Sequence, residues 1–126
     1  MNNFRIILIL LSIAGCTTSQ LSFEQALEKA DSQESELLAK VRDNKEFIQC
    51  LENKYDVVED ECSLKHTSSS HYTVVLEFTQ SGKVNNVYLD KPEGFQKCIR
   101  AGLIGHSCLN PPLKNLFARI KVVSIE

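Results

Sequence analysis

Apolar positions along the chain follow three rhythms, and each predicts a different element. The first is an unbroken run, Ile6-Ile7-Leu8-Ile9-Leu10-Leu11-Ser12-Ile13. A permanent bilayer span needs about 20 apolar residues, so this run is too short for one. From Ser22 the spacing becomes helical, through Leu27, Ala30, Leu37, Leu38, Val41, Ile48, Leu51 and Tyr55. Ser22 and Gln25 fit a capping box, and no Pro or Gly interrupts residues 22–81. The expectation is one long amphipathic helix over 23–56, or two helices joined near Asp31 to Ser35. Asp56 to His71 reads as a polar connector. Its acids Asp56, Glu59, Asp60 and Glu61 lack the alternating ligands and the Gly of a calcium loop, which leaves a solvated turn.

The period then changes to two. Val74, Leu76 and Phe78 share one face of a strand, and Lys83 to Leu89 makes a second. Between them, Gln80-Ser81-Gly82 suits a three-residue hairpin with Gly in the left-handed position. Pro92 and Glu93 open a second helix with Phe95, Ile99 and Leu103 as its buried stripe, ending at Gly102 and Gly105. Asn110-Pro111-Pro112 turns the chain into a last strand, Leu116 to Ile125. The predicted class is α+β: a long N-terminal helix, then a small antiparallel sheet in strand-strand-helix-strand order.

The first apolar run follows a short segment carrying Arg5 and ends in Ile13-Ala14-Gly15-Cys16. These four residues resemble the lipobox of bacterial lipoproteins, with a branched residue three before the Cys and small residues between. The resemblance implies cleavage before Cys16, a diacylglycerol on its sulfur and an acyl chain such as palmitate on its amine. Residues 1–15 are then a signal peptide, 16–22 a lipid anchor with a short tether, and 23–126 a single domain. Two or three acyl chains anchor stably where one is marginal. Thr17 stands where inner-membrane lipoproteins commonly carry Asp, which implies the outer membrane with the domain facing the periplasm.

Composition narrows the function classes. A chain of 126 residues with 43% apolar and 24% charged residues suits one folded domain. Its 14 basic and 16 acidic residues give a charge of −2, with no surplus to neutralise the phosphates of a nucleic acid. Removing residues 1–15 takes Arg5 and no acid, leaving 13 basic against 16 acidic residues and a charge of −3. The lipid, not charge, is then what holds the domain to a membrane. No Trp and 7% aromatics provide few stacking platforms for sugars or bases, and no small-molecule substrate is evident.

Five Cys in so short a chain point to an oxidising compartment. With Cys16 lipidated, Cys50, Cys62, Cys98 and Cys108 remain for two disulfides. Three connectivities are open, and spacing alone does not choose among them. Local pairing, Cys50 with Cys62 and Cys98 with Cys108, would close short loops. A zinc set drawn from Cys62, His66, His71, His106 and Cys108 lacks the tight paired spacing of such sites, and oxidation competes for its thiols. A disulfide-bonded sulfur cannot act as a nucleophile, and Ser68 to Ser70 has no elbow motif around it. The reading is of no catalytic, cofactor or metal site, and not of an enzyme.

Val74-Val75-Leu76-Glu77-Phe78-Thr79-Gln80-Ser81-Gly82-Lys83-Val84 is similar to the hairpin of the TonB C-terminal fold. Phe95-Gln96-Lys97-Cys98-Ile99-Arg100 and Pro111-Pro112 resemble the helix and the Pro segment that follow in that family, so residues 72–126 are read as TonB-C-like. A subgroup carries one Cys in that helix and another in the helix before the hairpin, here Cys50. This implies pairing of Cys50 with Cys98 and of Cys62 with Cys108. The family's Pro-rich spacer has no counterpart, and Leu109-Asn110-Pro111 stands at its aromatic-Pro signature. Energy coupling is therefore not implied. What is implied is a sheet edge that accepts a partner's strand. The expected function is a non-enzymatic adaptor that binds an envelope protein. The alternative is a small inhibitor or immunity lipoprotein acting against a cell-wall-degrading enzyme.

Overall fold

The computed structural model describes residues 21–40, 44–67 and 71–123. The signal peptide, Cys16, most of the tether, Ser68 to Ser70 and the expected end of the last strand at Ile125 lie outside them. The elements are α1 (Phe23–Lys40), α2 (Lys45–Lys65), β1 (His71–Phe78), β2 (Val84–Leu89), α3 (Gly94–Leu103) and β3 (Phe117–Val123). The class is α+β, with a three-stranded antiparallel sheet ordered β2-β1-β3. The full order is helix-helix-strand-strand-helix-strand, not one long N-terminal helix followed by strand-strand-helix-strand.

The helical reading needs two corrections. The first helix ends at Lys40 and the next begins at Lys45, while α1 runs unbroken through Asp31–Ser35. The polar residues there are not a joint. Asp31, Gln33 and Glu34 are the side chains with which α1 grips β3. Second, the supposed connector after Asp56 is helical to Lys65. Phe47, Leu51, Tyr55, Val58 and Cys62 form one buried stripe at spacings of three and four. The exposed Asp60 and Glu61 hide its continuation in the sequence.

The α1 start is fixed by the expected reciprocal cap: Ser22 N–H donates to Gln25 Oε1 at 2.9 Å, and Gln25 N–H donates to Ser22 Oγ at 3.1 Å. Ala26 and Ala30 are the buried residues of α1, small enough to bring the helix close to Val75 and Phe117. Leu38, expected on the apolar stripe, is 66% exposed. On the other sheet face, Val74, Leu76, Phe78, Val87 and Ala118 pack against α2 and α3. The strand alternation had marked only this face. Rings lock it edge-to-face, Phe47 on Phe78 at 5.3 Å and Tyr72 on Phe95 at 5.5 Å between centroids.

The hairpin turn is as the sequence indicates. Gly82 has φ +92°, and a Cβ there would stand 1.8 Å from the carbonyl oxygen of Cys108, so both backbone and space require Gly. The β2–α3 connection is pinned by Gln96, which is fully buried. Its Nε2 donates to Asp90 Oδ1 at 2.7 Å, and its Oε1 accepts Lys91 N–H at 3.1 Å. Asp90 Oδ2 in turn accepts Thr73 N–H from β1 at 3.1 Å.

Candidate protein-interaction edge

A three-stranded sheet has two edges, and hydrogen bonding decides how much of each is open. Phe78 N–H donates to Leu116 O at 3.0 Å, and Glu77 stands opposite Phe117. Antiparallel alternation then turns the peptide groups of Ala118, Ile120 and Val122 toward β1. Those of Phe117, Arg119, Lys121 and Val123 turn outward. The start of this row is occupied by α1: Phe117 N–H donates to Gln33 Oε1 at 2.8 Å, and Gln33 Nε2 donates to Asn115 O at 2.7 Å. Arg119 is held by its side chain, with its guanidinium 3.0 Å from both Asp31 and Glu34. Its peptide group stays on the outward row, which runs on to Val123.

The β2 edge is covered at its first half. Val84 N–H donates to His106 O at 2.8 Å, Gly105 N–H to Val84 O at 3.0 Å and Cys108 N–H to Gly82 O at 2.9 Å. Lys83 and Ser107 form an antiparallel bridge. The segment 105–108 thus acts as a short fourth strand, and the Cys50–Cys108 disulfide ties it to α2.

Beside the open part of β3 lies a groove of about 430 Å³, lined by Ile48, Leu51, Glu52, Tyr55 and Asp56 of α2 with Arg119 and Ile120 of β3. Its apolar floor comes from Ile48, Leu51 and Ile120. At its inner wall the hydroxyls of Tyr55 and Tyr72 bond to each other and to Glu59 Oε2, at 3.2 Å from Tyr55 and 2.9 Å from Tyr72. Burial pushes both tyrosine pKa values well above the ordinary range, and the neighbouring Glu59 charge adds to it. The arrangement is a locked internal cluster holding α2 to β1.

The four cysteines are paired as Cys50–Cys108 and Cys62–Cys98, with Cα–Cα distances of 5.8 Å in both. Neither the local pairing nor the pairing implied by the TonB-C resemblance is formed. The reason is direction: α2 and α3 lie antiparallel, so the late Cys62 meets the early Cys98, and the early Cys50 meets the segment after α3. The remaining candidates are dispersed. His66 packs against Gly94, His71 begins β1 opposite Val123, and His106 pairs through its backbone with Val84. Among the described residues no group of three or more His, Cys, Asp or Glu is placed to hold a metal ion. No helix among them is long and apolar enough to cross a membrane.

The groove was not legible in the sequence. The helical spacing puts Ile48 on the apolar stripe, whereas Phe47 takes the buried place and Ile48, half-buried, lines the groove. Compared with known proteins, the chain matches no family model, no curated protein and no solved structure.

Proposed function

We propose that this chain is a non-enzymatic envelope lipoprotein, anchored through Cys16 in the outer membrane, whose periplasmic domain takes up an extended segment of an envelope partner along β3. The observation that carries the reading is the outward row of peptide groups from Arg119 to Val123 beside an apolar groove. Such a row adds a strand readily, with backbone bonds giving affinity and the groove giving selectivity. The lipobox supports the location, and two disulfides suit an oxidising compartment. Leu21 follows Cys16 by five residues, a reach of at most roughly 18 Å, so the domain stays near the membrane. The helix, hairpin, helix and strand beyond residue 45 support kinship with the TonB C-terminal fold, without its energy-coupling role.

The test is photo-cross-linking in living cells from a reactive residue placed at Val123, with Leu64 on the far side of α2 as the control. A discrete adduct to an envelope protein is expected from Val123 and not from Leu64. It should vanish in Lys121→Pro, which removes an outward N–H and leaves the bonds to β1 intact. An adduct that persists in folded Lys121→Pro protein, or arises equally from Leu64, overturns the docking edge. Cys16→Ala should abolish palmitate labelling and membrane retention. Retained labelling would overturn the anchor.

A further inference from the structure

The docking edge of the preceding section carries more chemistry than backbone pairing. This inference rests on that edge and deepens it by naming what the incoming strand must contain. Phe47 meets Phe78 at one end of the sheet and Tyr55 meets Tyr72 at the other, so α2 runs opposite to β1 and in the same direction as β3. A strand added to β3 would therefore run beside the part of α2 that lines the groove, from Ile48 to Asp56. Facing it on α2, one turn apart, are Ile48, then Glu52, then Asp56.

Both carboxylates are exposed, and neither has a hydrogen-bond or ion-pair partner among the described residues. Arg119, the cation that lines the groove, does not neutralise them, because Asp31 and Glu34 on the opposite sheet face hold its guanidinium. Glu59, the next acid along the helix, is occupied by the two tyrosine hydroxyls. The groove thus presents one apolar position followed by two free negative charges.

The spacing matches a strand. Residues four apart on a helix are about 6.0 Å apart along its axis, and alternate residues of a strand are about 6.6 Å apart. We propose that β3 and α2 together recognise an extended protein segment that runs parallel to β3 and whose groove-facing side chains read, from N- to C-terminus, apolar, basic, basic at alternate positions. The apolar side chain enters between Ile48, Leu51 and Ile120. The two Lys or Arg side chains meet Glu52 and Asp56. The mirror-charge segment is rejected by the same pair.

The test titrates the purified full chain, in neutral detergent micelles, with the peptide Thr-Val-Thr-Lys-Thr-Lys-Thr and with its counterpart carrying Glu for Lys. Amide chemical shifts are followed up to about 1 mM peptide. The Lys peptide should bind at least tenfold more tightly than the Glu peptide, with shifts along β3 and α2. The double variant Glu52→Lys, Asp56→Lys should invert that preference, and Lys121→Pro should abolish binding of both. Retained chemical-shift dispersion in each variant establishes that it is folded. Absence of binding by either peptide overturns the proposal. Binding that Lys121→Pro abolishes but the charge reversal leaves unchanged overturns the charge recognition and leaves the docking edge standing. Binding that survives Lys121→Pro overturns the edge itself.

Discussion

The side-chain amide of Gln33 does for the start of β3 what another strand would do. Its Oε1 accepts the N–H of Phe117 at 2.8 Å while its Nε2 donates to Asn115 O at 2.7 Å. One helix residue thereby satisfies the first backbone donor of the edge strand and an acceptor just before it, and sets where the open edge begins. Two such bonds are each worth about 1 kcal/mol net. Gln33→Ala should therefore lower stability to urea by about 1–2 kcal/mol. It should speed amide exchange at Phe117 far more than at Ile120, whose N–H faces β1. Gln33→Glu keeps the acceptor for Phe117 and loses the donor to Asn115, so it should show the smaller effect. Equal exchange at Phe117 in wild type and Gln33→Ala would show that the bond does not protect the edge.

Gly102 of α3 faces Val58 of α2 with no room for a side chain. A Cβ at Gly102 would stand 2.6 Å from Val58 Cγ1 and 3.1 Å from Cγ2. In an open helix Gly→Ala gains about 1 kcal/mol from propensity. Here overpacking costs about 1–3 kcal/mol and should decide the sign. Gly102→Ala is expected to destabilise by up to roughly 2 kcal/mol, the difference of those two effects. Val58→Ala alone leaves a cavity and should cost about 2 kcal/mol. The double variant should lose less than the two singles together, because each removes the other's problem. Strict additivity in a denaturation cycle would mean that the helices simply move apart.

How far the sequence reached can be traced through single residues. Gly82 was legible because a left-handed turn between two alternating runs admits little else. Phe95, Ile99 and Leu103 were legible because their stripe is uninterrupted. The α1 face was legible only in part: Ala30 stands on the expected stripe and is buried, whereas Ala26 carries little hydrophobic signal and buries through closeness instead of size. The end of α2 was lost behind its acids, although Val58 and Cys62 continue the stripe of Tyr55. The disulfide pairing and the groove depend on the relative directions of α2, α3 and β3. Spacing along one chain holds no information about those directions, and this is why the resemblance pointed to the wrong cysteine partners.

Stability should fall in alkali, and the tyrosines set where. Burial pushes Tyr88 up to about 12, with its bond to Glu77 at 2.6 Å adding to the shift. Tyr55 and Tyr72 are raised further, again chiefly by burial. An unfolded tyrosine loses its proton near pH 10. Above that point the unfolded state binds fewer protons than the native state, so stability declines as pH rises. The contribution is fully present below about pH 10 and is lost as pH climbs through 10 to 12. Melting temperature should therefore drop across that window, with phenolate absorbance appearing together with unfolding. Tyr88→Phe should flatten the lower part of the decline. A melting temperature constant from pH 9.5 to 11.5 would refute the account.

The two disulfides should differ in what their loss exposes more than in what it costs. Non-reducing digestion should release Cys50 linked to Cys108 and Cys62 linked to Cys98. The bridges close loops of 58 and 36 residues, for which chain entropy gives about 4 kcal/mol each, with the longer loop ahead by only about 0.4 kcal/mol. Because one loop encloses the other, each bridge already restricts the unfolded chain of the other, so losing both should cost more than the two single losses added together. Replacing Cys62 and Cys98 by Ser frees α3 from α2 and leaves segment 105–108 in place. Replacing Cys50 and Cys108 by Ser releases that segment from α2, and with it the cover over the first half of β2. Amide exchange at Val84 and Gly105 should then rise selectively in the second pair, whereas the first should loosen Ile99 and Leu103. If both pairs raise exchange uniformly over the whole sheet, the disulfide to Cys108 does not guard the β2 edge, and the backbone bonds at Gly82 and Val84 suffice to close it.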